Sequence, residues 1–384
     1  MRTYKIGIIG CGTISNTYIP DIQNYYHYLD IYAVADTDLL RARETGEKFG
    51  IRKAYRPEEL LADGEVEIVV NLTPPKFHQP VNLSILSAGK HLFTEKPFAL
   101  SLSEADELIN LAKDKGLMIG SAPDTFLSSG LQSMNKYIRD GIIGKPLYVT
   151  ANMMSHGVEM WHPYPSPFYE EGGGPLHDMA GYYLSAIVSM LGPVDSISGA
   201  CGKGFDRRPI FSKSQLGKYV DVKVPTHYSA VLKLKSGVIV SMNMSFDIWH
   251  SGLPKFEIYG TDGTISYPDP NYGGGVPSVY RKEQVLDTAF QENEEYRQRE
   301  LKTYELPELY HRVNHYSRGL GVLDLAYALE YGRPNRASAE LARHVTEVIE
   351  GIMTASKEQR IYKMITSCTI PRPLEPGLSV GDLQ

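Results

Sequence analysis

Tyr4-Lys5-Ile6-Gly7-Ile8-Ile9-Gly10-Cys11-Gly12-Thr13-Ile14-Ser15 sets an apolar run against a glycine-rich turn and the opening of a helix. The run reads as a buried strand. The first glycine permits a tight turn, and the second lets the backbone approach a pyrophosphate at the helix N-terminus. Gly10, Gly12, Thr13 and Ile14 are therefore the expected pyrophosphate loop. The third glycine position holds Ser15, a departure that bears on helix–strand packing. Pro20 predicts an early end or a kink in the helix that follows.

Outward from this stretch, residues 31–35 read as a second strand ending on Asp36. A carboxylate there accepts ribose hydroxyls and repels a 2′-phosphate, which favours NAD over NADP. Asp38 adds negative charge, with Arg41 the one arginine close by. Further strands are expected at 67–72, 91–94 and 118–121, with helices at 38–49, 57–63, 78–88 and 103–116. Ser103 and Asp106 read as an approximate capping box for the last of these. Continuous apolar strands separated by helices predict a doubly wound parallel sheet covered on both faces.

Beyond about residue 123 the texture changes. Runs at 148–154, 194–199, 228–235, 238–245 and 256–259 read as strands of an antiparallel sheet, and Lys235-Ser236-Gly237 as a hairpin turn. Helices are expected at 179–191 and 337–357, and 269–300 reads as an exposed loop. The fold class is α/β, a Rossmann sheet, followed by an α+β domain. The boundaries drawn are 1–123 for dinucleotide binding and 124–384 for substrate binding and oligomerisation.

Bulk properties narrow the function. A chain of 384 residues favours two domains. A net charge of −6 without a basic stripe argues against nucleic acid as a partner. No apolar run reaches the length of a membrane span. Three dispersed cysteines, Cys11, Cys201 and Cys368, fit neither a disulfide framework nor a zinc knuckle. Strand residues follow Met1 almost at once, so no signal peptide and a cytoplasmic protein are expected.

Glu95-Lys96-Pro97 closes the 91–94 strand, where the nicotinamide of a bound dinucleotide would reach. Lysine is among the few side chains able to hold a substrate hydroxyl and move its proton. Thr73, Pro74 and His78 follow the 67–72 run and are expected to shape a loop over the cofactor. Gly172-Gly173-Gly174 leads through His177 and Asp178 to Tyr182. Asp178 and Tyr182 stand four apart, on one face of an α-helix. A carboxylate and a phenol so placed, taken with Lys96, form a proton-handling set, and His177 is the second candidate for the base. Asp124, His156, Trp161 and His162 are candidate substrate contacts. Metal binding by His311 and His315, at helical spacing, is the weaker reading, and no metal is expected. Arg318 precedes an apolar helix and is a further candidate ligand contact.

Gly10 to Ser15, Thr73-Pro74 with His78, Glu95-Lys96-Pro97, the triple glycine with Asp178 and Tyr182, and Gly260-Thr261-Asp262-Gly263 occur in one order. Together they resemble the glucose–fructose oxidoreductase / inositol dehydrogenase (Gfo/Idh/MocA) family across about residues 4–360. The resemblance implies a Rossmann domain, a C-terminal domain with a large open antiparallel sheet, and hydride transfer between a nicotinamide and a sugar or polyol hydroxyl. It implies that Lys96 orients substrate and relays a proton, that Asp178 is the acid of the motif, and that Tyr182 stands where many members carry a catalytic histidine. Glu95 and Lys96 are expected at the cofactor. The alternatives are a glycosidase with transient NAD redox chemistry and a non-catalytic cofactor-binding regulator. A homo-oligomer, dimer or tetramer, through the second sheet is expected.

Overall fold

A computed structural model describes residues 2–284, 303–310, 318–377 and 383. These residues pack as two compact units. One takes the described residues of Met1–Leu127, Val313–Glu350 and Ile365–Gln384, the other those of Ser128–Arg312 and Gly351–Met364. The sequence boundary at 123/124 placed the whole remainder in one domain. The chain instead returns to the first unit, because apolar side chains such as Ala339 and Ala342 belong to its core.

The first unit is built on six parallel strands, β1 (Tyr4–Ile9), β2 (Leu29–Ala35), β3 (Lys53–Tyr55), β4 (Ile68–Asn71), β5 (His91–Thr94) and β6 (Ile119–Ser121), in the order β3-β2-β1-β4-β5-β6. This is the doubly wound order, with its switch point between β1 and β4, where open α/β sheets place their ligands. Ala33, Val34, Ala35, Val69 and Val70 are fully buried, as strands covered on both faces must be. The connections run through α1 (Ser15–Tyr25), α2 (Leu39–Phe49), α3 (Pro57–Ala62), α4 (His78–Ser87) and α5 (Leu102–Asp114). β3, only three residues long, was not expected.

Two local expectations give way. α1 continues five residues past Pro20. A proline inside a helix costs about 3 kcal/mol, and the buried side chains of Tyr18, Ile19 and Ile22 hold the helix across it. The cap of α5 is Ser101, not Ser103. Its hydroxyl accepts from Glu104 N–H, and the Glu104 carboxylate accepts from Leu100 N–H.

The second unit begins with α6 (Ser129–Arg139) and carries a nine-stranded sheet. Its strands are β7 (Pro146–Met154), β8 (Val194–Gly202), β11 (His227–Leu234), β12 (Ile239–Ser245), β13 (Phe256–Gly260), β14 (Gly263–Tyr267), β15 (Ser278–Arg281), β16 (Tyr304–Glu305) and β17 (Tyr362–Lys363). β9 (Arg207–Pro209) and β10 (Tyr219–Asp221) pair separately. The large sheet is mixed, not wholly antiparallel, because β7 and β12 run parallel. Along β11 and β12 buried and accessible positions alternate, so one face is covered and the other open. α7 (Gly181–Leu191) is buried over ten of its residues, and its Tyr183 ring meets Phe256 of β13. β15 lies inside the stretch read as a loop, and residues 285–300 of that stretch fall outside the described ones. In the first unit α8 (Leu320–Tyr331) is followed by the start of α9 (Ala339–Glu358). Among the described residues no helix is long and apolar enough to cross a membrane.

Candidate active site

Gly10 ends β1 at φ +105°, and a Cβ there would lie 2.7 Å from the backbone of Leu72. Only glycine fits this crossing of the β1 and β4 loops. A Cβ on Gly12 would meet nothing within 4 Å, which leaves its exposed backbone open to a ligand. α1 has no side-chain cap and no acid in its first turn, so its N-terminus is available to an anion. Ser15 is buried and its hydroxyl donates to the Gly12 carbonyl at 2.6 Å, closing the turn where a third glycine was expected.

Asp36 stands at the end of β2. Its carboxylate accepts from Cys11 N–H at 3.0 Å and from Asp38 N–H at 2.9 Å. It therefore ties the glycine turn to the second strand. Arg41 lies 3.6 Å from both Asp36 and Asp38, and Asp38 caps α2. An open glycine, an uncapped helix start and an acid at the end of β2 fit a dinucleotide, with the pyrophosphate at Gly10–Gly12 and a ribose at Asp36.

The Lys96 loop is braced from several sides. Tyr18 of α1, fully buried, donates to Glu95 Oε1 at 2.7 Å, and Glu95 Oε2 accepts the backbone N–H of Lys96 at 2.8 Å. His78 places Nδ1 2.8 Å from the Pro97 carbonyl and Nε2 2.7 Å from the Thr73 carbonyl. Burial pushes the His78 pKa down, and its two carbonyl neighbours oppose that. Asn71 holds Thr73 through both N–H and hydroxyl, and itself contacts Asn82. Lys96 is half-buried and the Lys96–Pro97 peptide is cis.

Four residues read as ligand contacts are buried. His78 and Glu95 join loops to one another. Asp124, 1% exposed, accepts Gly321 N–H at 2.7 Å and so caps α8, whose own cap residue is Gly319. Burial raises the Asp124 pKa. Arg318, also buried, gives its backbone N–H to Asp21 at 2.8 Å. Thr73 is half-buried and Pro74 exposed, as a loop over a crevice allows.

In the second unit, Leu176–Ala180 forms a π-helical turn that passes directly into α7. Asp178 therefore lies in the π turn, whose hydrogen bonds close five residues apart, and Tyr182 at the start of the α-helix that follows. Such turns recur at functional sites. Asp178 and His177 are half-buried, and Tyr182 is 4% exposed. His177 Nδ1 lies 3.1 Å from the Gly173 carbonyl, and burial lowers its pKa. With Nδ1 donating, Nε2 of the neutral ring is left as an acceptor.

The loop before the glycines is aromatic and firmly anchored. His156 stacks on Trp249 at 3.2 Å, His162 meets Trp161 and Phe168 edge-on, and Trp161 is 67% exposed. Burial lowers the His162 pKa, partly offset by the nearby Asp178 carboxylate. Beneath the loop Arg208, 1% exposed, pairs with Glu159 and Asp247 at 2.8 Å each and donates to the His156 and Phe246 carbonyls. Tyr169 donates to the same Glu159.

Sequence reading missed Tyr18, Arg208 and Trp249. Trp249 alone left a signal, as one of two tryptophans in the chain, just past a strand. His311 and His315 lie outside the described residues.

A sheet with this switch point, a glycine turn and an acid after β2 defines a dinucleotide-binding oxidoreductase class. Residues 4–122 match the oxidoreductase family with an NAD-binding Rossmann fold (GFO_IDH_MocA), and residues 131–266 match the GFO/IDH/MocA C-terminal domain. The chain belongs to the Gfo/Idh/MocA oxidoreductase family. It is 25% identical to myo-inositol 2-dehydrogenase of Thermotoga maritima over 68% of this chain and 74% of that protein. It is 30% identical to mouse (Mus musculus) trans-1,2-dihydrobenzene-1,2-diol dehydrogenase over 48% of this chain, spanning 55% of that enzyme. Its fold is similar to that of levoglucosan dehydrogenase in complex with NADH and L-sorbose, with TM-score 0.76 and 18% identity, covering 94% of this chain and 99% of the other.

Proposed function

We propose that the chain is an NAD⁺-dependent dehydrogenase that oxidises a CH–OH group of a sugar or polyol. The observation that carries the proposal is Lys96, half-buried at the carboxyl end of β5, in the sheet whose switch point bears the Gly10–Gly12 turn and Asp36. The named relatives, an inositol dehydrogenase and a diol dehydrogenase, support a hydroxyl-bearing substrate.

Gly10, Gly12, Thr13, Ile14 and Asp36 hold the cofactor, with Thr73 and Pro74 at the loop beside it. The bound nicotinamide supplies a hydride acceptor. Lys96 binds the reacting hydroxyl as a hydrogen-bond donor and, with Asp178, orients it. The hydroxyl proton passes to Tyr182. His177, with Nε2 open to a proton, is the competing base. Trp161, His162 and His156 contact the remainder of the substrate, since aromatic faces suit the apolar faces of sugar rings.

We further assign the enzyme to the cytoplasm and to a homo-oligomer joined through the open face of the nine-stranded sheet. On that face Tyr148 and Ile239 stand opposite one another and both are exposed, with Val231 exposed on the next strand. Light scattering at micromolar concentration is expected to give a dimer or tetramer, and a monomer contradicts the assignment.

The test of the activity is to incubate the protein with NAD⁺ and a panel of pentoses, hexoses, anhydrosugars and inositols. NADH is expected with at least one member. Absence of net reduction, with a cofactor that stays bound through purification, favours the glycosidase reading.

A further inference from the structure

Lys96 is half-buried on a loop, and its backbone is fixed from within the fold. Its N–H is held by Glu95 Oε2 at 2.8 Å, and the other oxygen of that carboxylate accepts the Tyr18 hydroxyl at 2.7 Å. Tyr18 lies on α1, the helix whose first turn follows the glycine loop, and it is fully buried with its ring against Phe93 of β5. The carboxylate thus bridges the helix of the dinucleotide turn to the proposed catalytic lysine. No water competes for these atoms, because Glu95 is buried as well.

We infer that Tyr18, acting through Glu95, is a positioning residue that sets the place of Lys96 at the end of β5. The inference rests on the reading of Lys96 given above. A carboxylate on a short side chain has several rotamers, and only one hands an oxygen to the next residue's N–H. The buried phenol selects that rotamer. Burial and the neighbouring Glu95 and Asp124 carboxylates push the Tyr18 pKa well up, so the phenol stays a donor throughout the working range. His78 acts in parallel by holding the Pro97 carbonyl. Because an error of about 1 Å in a reacting group can cost about 10²-fold in rate, the effect belongs in kcat, not in binding.

The experiment compares Tyr18→Phe, Glu95→Ala, the double variant and Lys96→Met, each with the panel sugar that the wild type turns over fastest. Melting temperature and NAD⁺ affinity are measured alongside. Tyr18→Phe is expected to lower kcat about tenfold, within what loss of a hydrogen bond to a charged group accounts for, with KM and NAD⁺ affinity within about twofold. In the Glu95→Ala background the same change is expected to alter kcat by less than about twofold, since the two act as one unit. An unchanged kcat in Tyr18→Phe, or an undiminished effect in the Glu95→Ala background, overturns the inference. If Tyr18→Phe does not fold, Glu95→Gln decides. An amide accepts through only one end, so kcat must fall, and a wild-type kcat overturns the inference. Lys96→Met separates the two layers. If it retains full turnover, the reading of Lys96 fails and the inference with it. If it is inactive while Tyr18→Phe is normal, only the inference fails.

Discussion

The two units secure their candidate functional residues by different means. In the first, the sheet is buried on both faces, and the candidate residues stand where its strands stop: Gly10 after β1, Asp36 after β2, Thr73 after β4, Lys96 after β5. In the second, one face of the sheet is open, and the candidate residues lie on a π-helical turn and on a loop held by the buried Arg208–Glu159–Asp247 set. The first arrangement takes its geometry from backbone sterics and β-ladder hydrogen bonds, with the buried Tyr18, Glu95 and His78 side chains bracing the loop after β5. The second depends on side-chain charges removed from water, which makes it more sensitive to single substitutions.

That contrast can be broken by experiment. Arg208→Met leaves Glu159 buried without its cation. Removing one partner of a buried pair costs about 3–5 kcal/mol, so chemical denaturation is expected to show a loss of that size. A loss below about 1 kcal/mol would mean that the 155–168 loop is held by packing alone. The comparable change in the first unit is gentler. Asp124→Asn keeps an oxygen for Gly321 N–H and removes the buried charge.

The sign for Asp124 follows from its raised pKa. Burial disfavours the ionised carboxyl, so its contribution is intact below the ordinary value of 3.8 and is lost as the pH rises through the folded value. Relative to Asp124→Asn, the wild type should therefore lose stability as the pH rises above the ordinary carboxyl value of 3.8. Urea unfolding of both proteins at each pH checks this, and parallel curves contradict it. The smallest expected effect is at Asp36. Asp36→Ala should weaken NAD⁺ binding about tenfold, worth about 1.4 kcal/mol, and narrow the preference over NADP⁺. Isothermal titration with both cofactors measures it. Unchanged affinities place the ribose elsewhere.

The same contrast explains what could be read in advance. Tyr4–Ile9 and His91–Thr94 matched their observed strands residue for residue, because parallel strands are unbroken apolar runs bounded by turns. β3, with three half-buried residues, carried too little pattern to be seen. The hairpin at Lys235-Ser236-Gly237 was legible because Gly237 has φ +90° and closes a two-residue-period pattern. The π turn was not, since residues 176–182 carry the composition of an ordinary helix start. Nor was the pairing of Tyr18 with Glu95, or of Arg208 with Glu159 and Asp247. Such contacts join positions far apart in the chain, and no local periodicity encodes them. The bond from Gly321 of α8 to the Asp124 carboxylate was hidden for the same reason.

Underlying all of this is the claim that an ammonium at the end of β5 takes part in oxidising a sugar or polyol hydroxyl. The measurement that tests it most directly is single-turnover NADH formation by wild type and Lys96→Met, with cofactor and panel sugar both saturating. Loss of a group that holds and relays the proton predicts a rate lower by about 10²–10⁴-fold with NAD⁺ affinity preserved. Equal single-turnover rates in the two proteins contradict the claim.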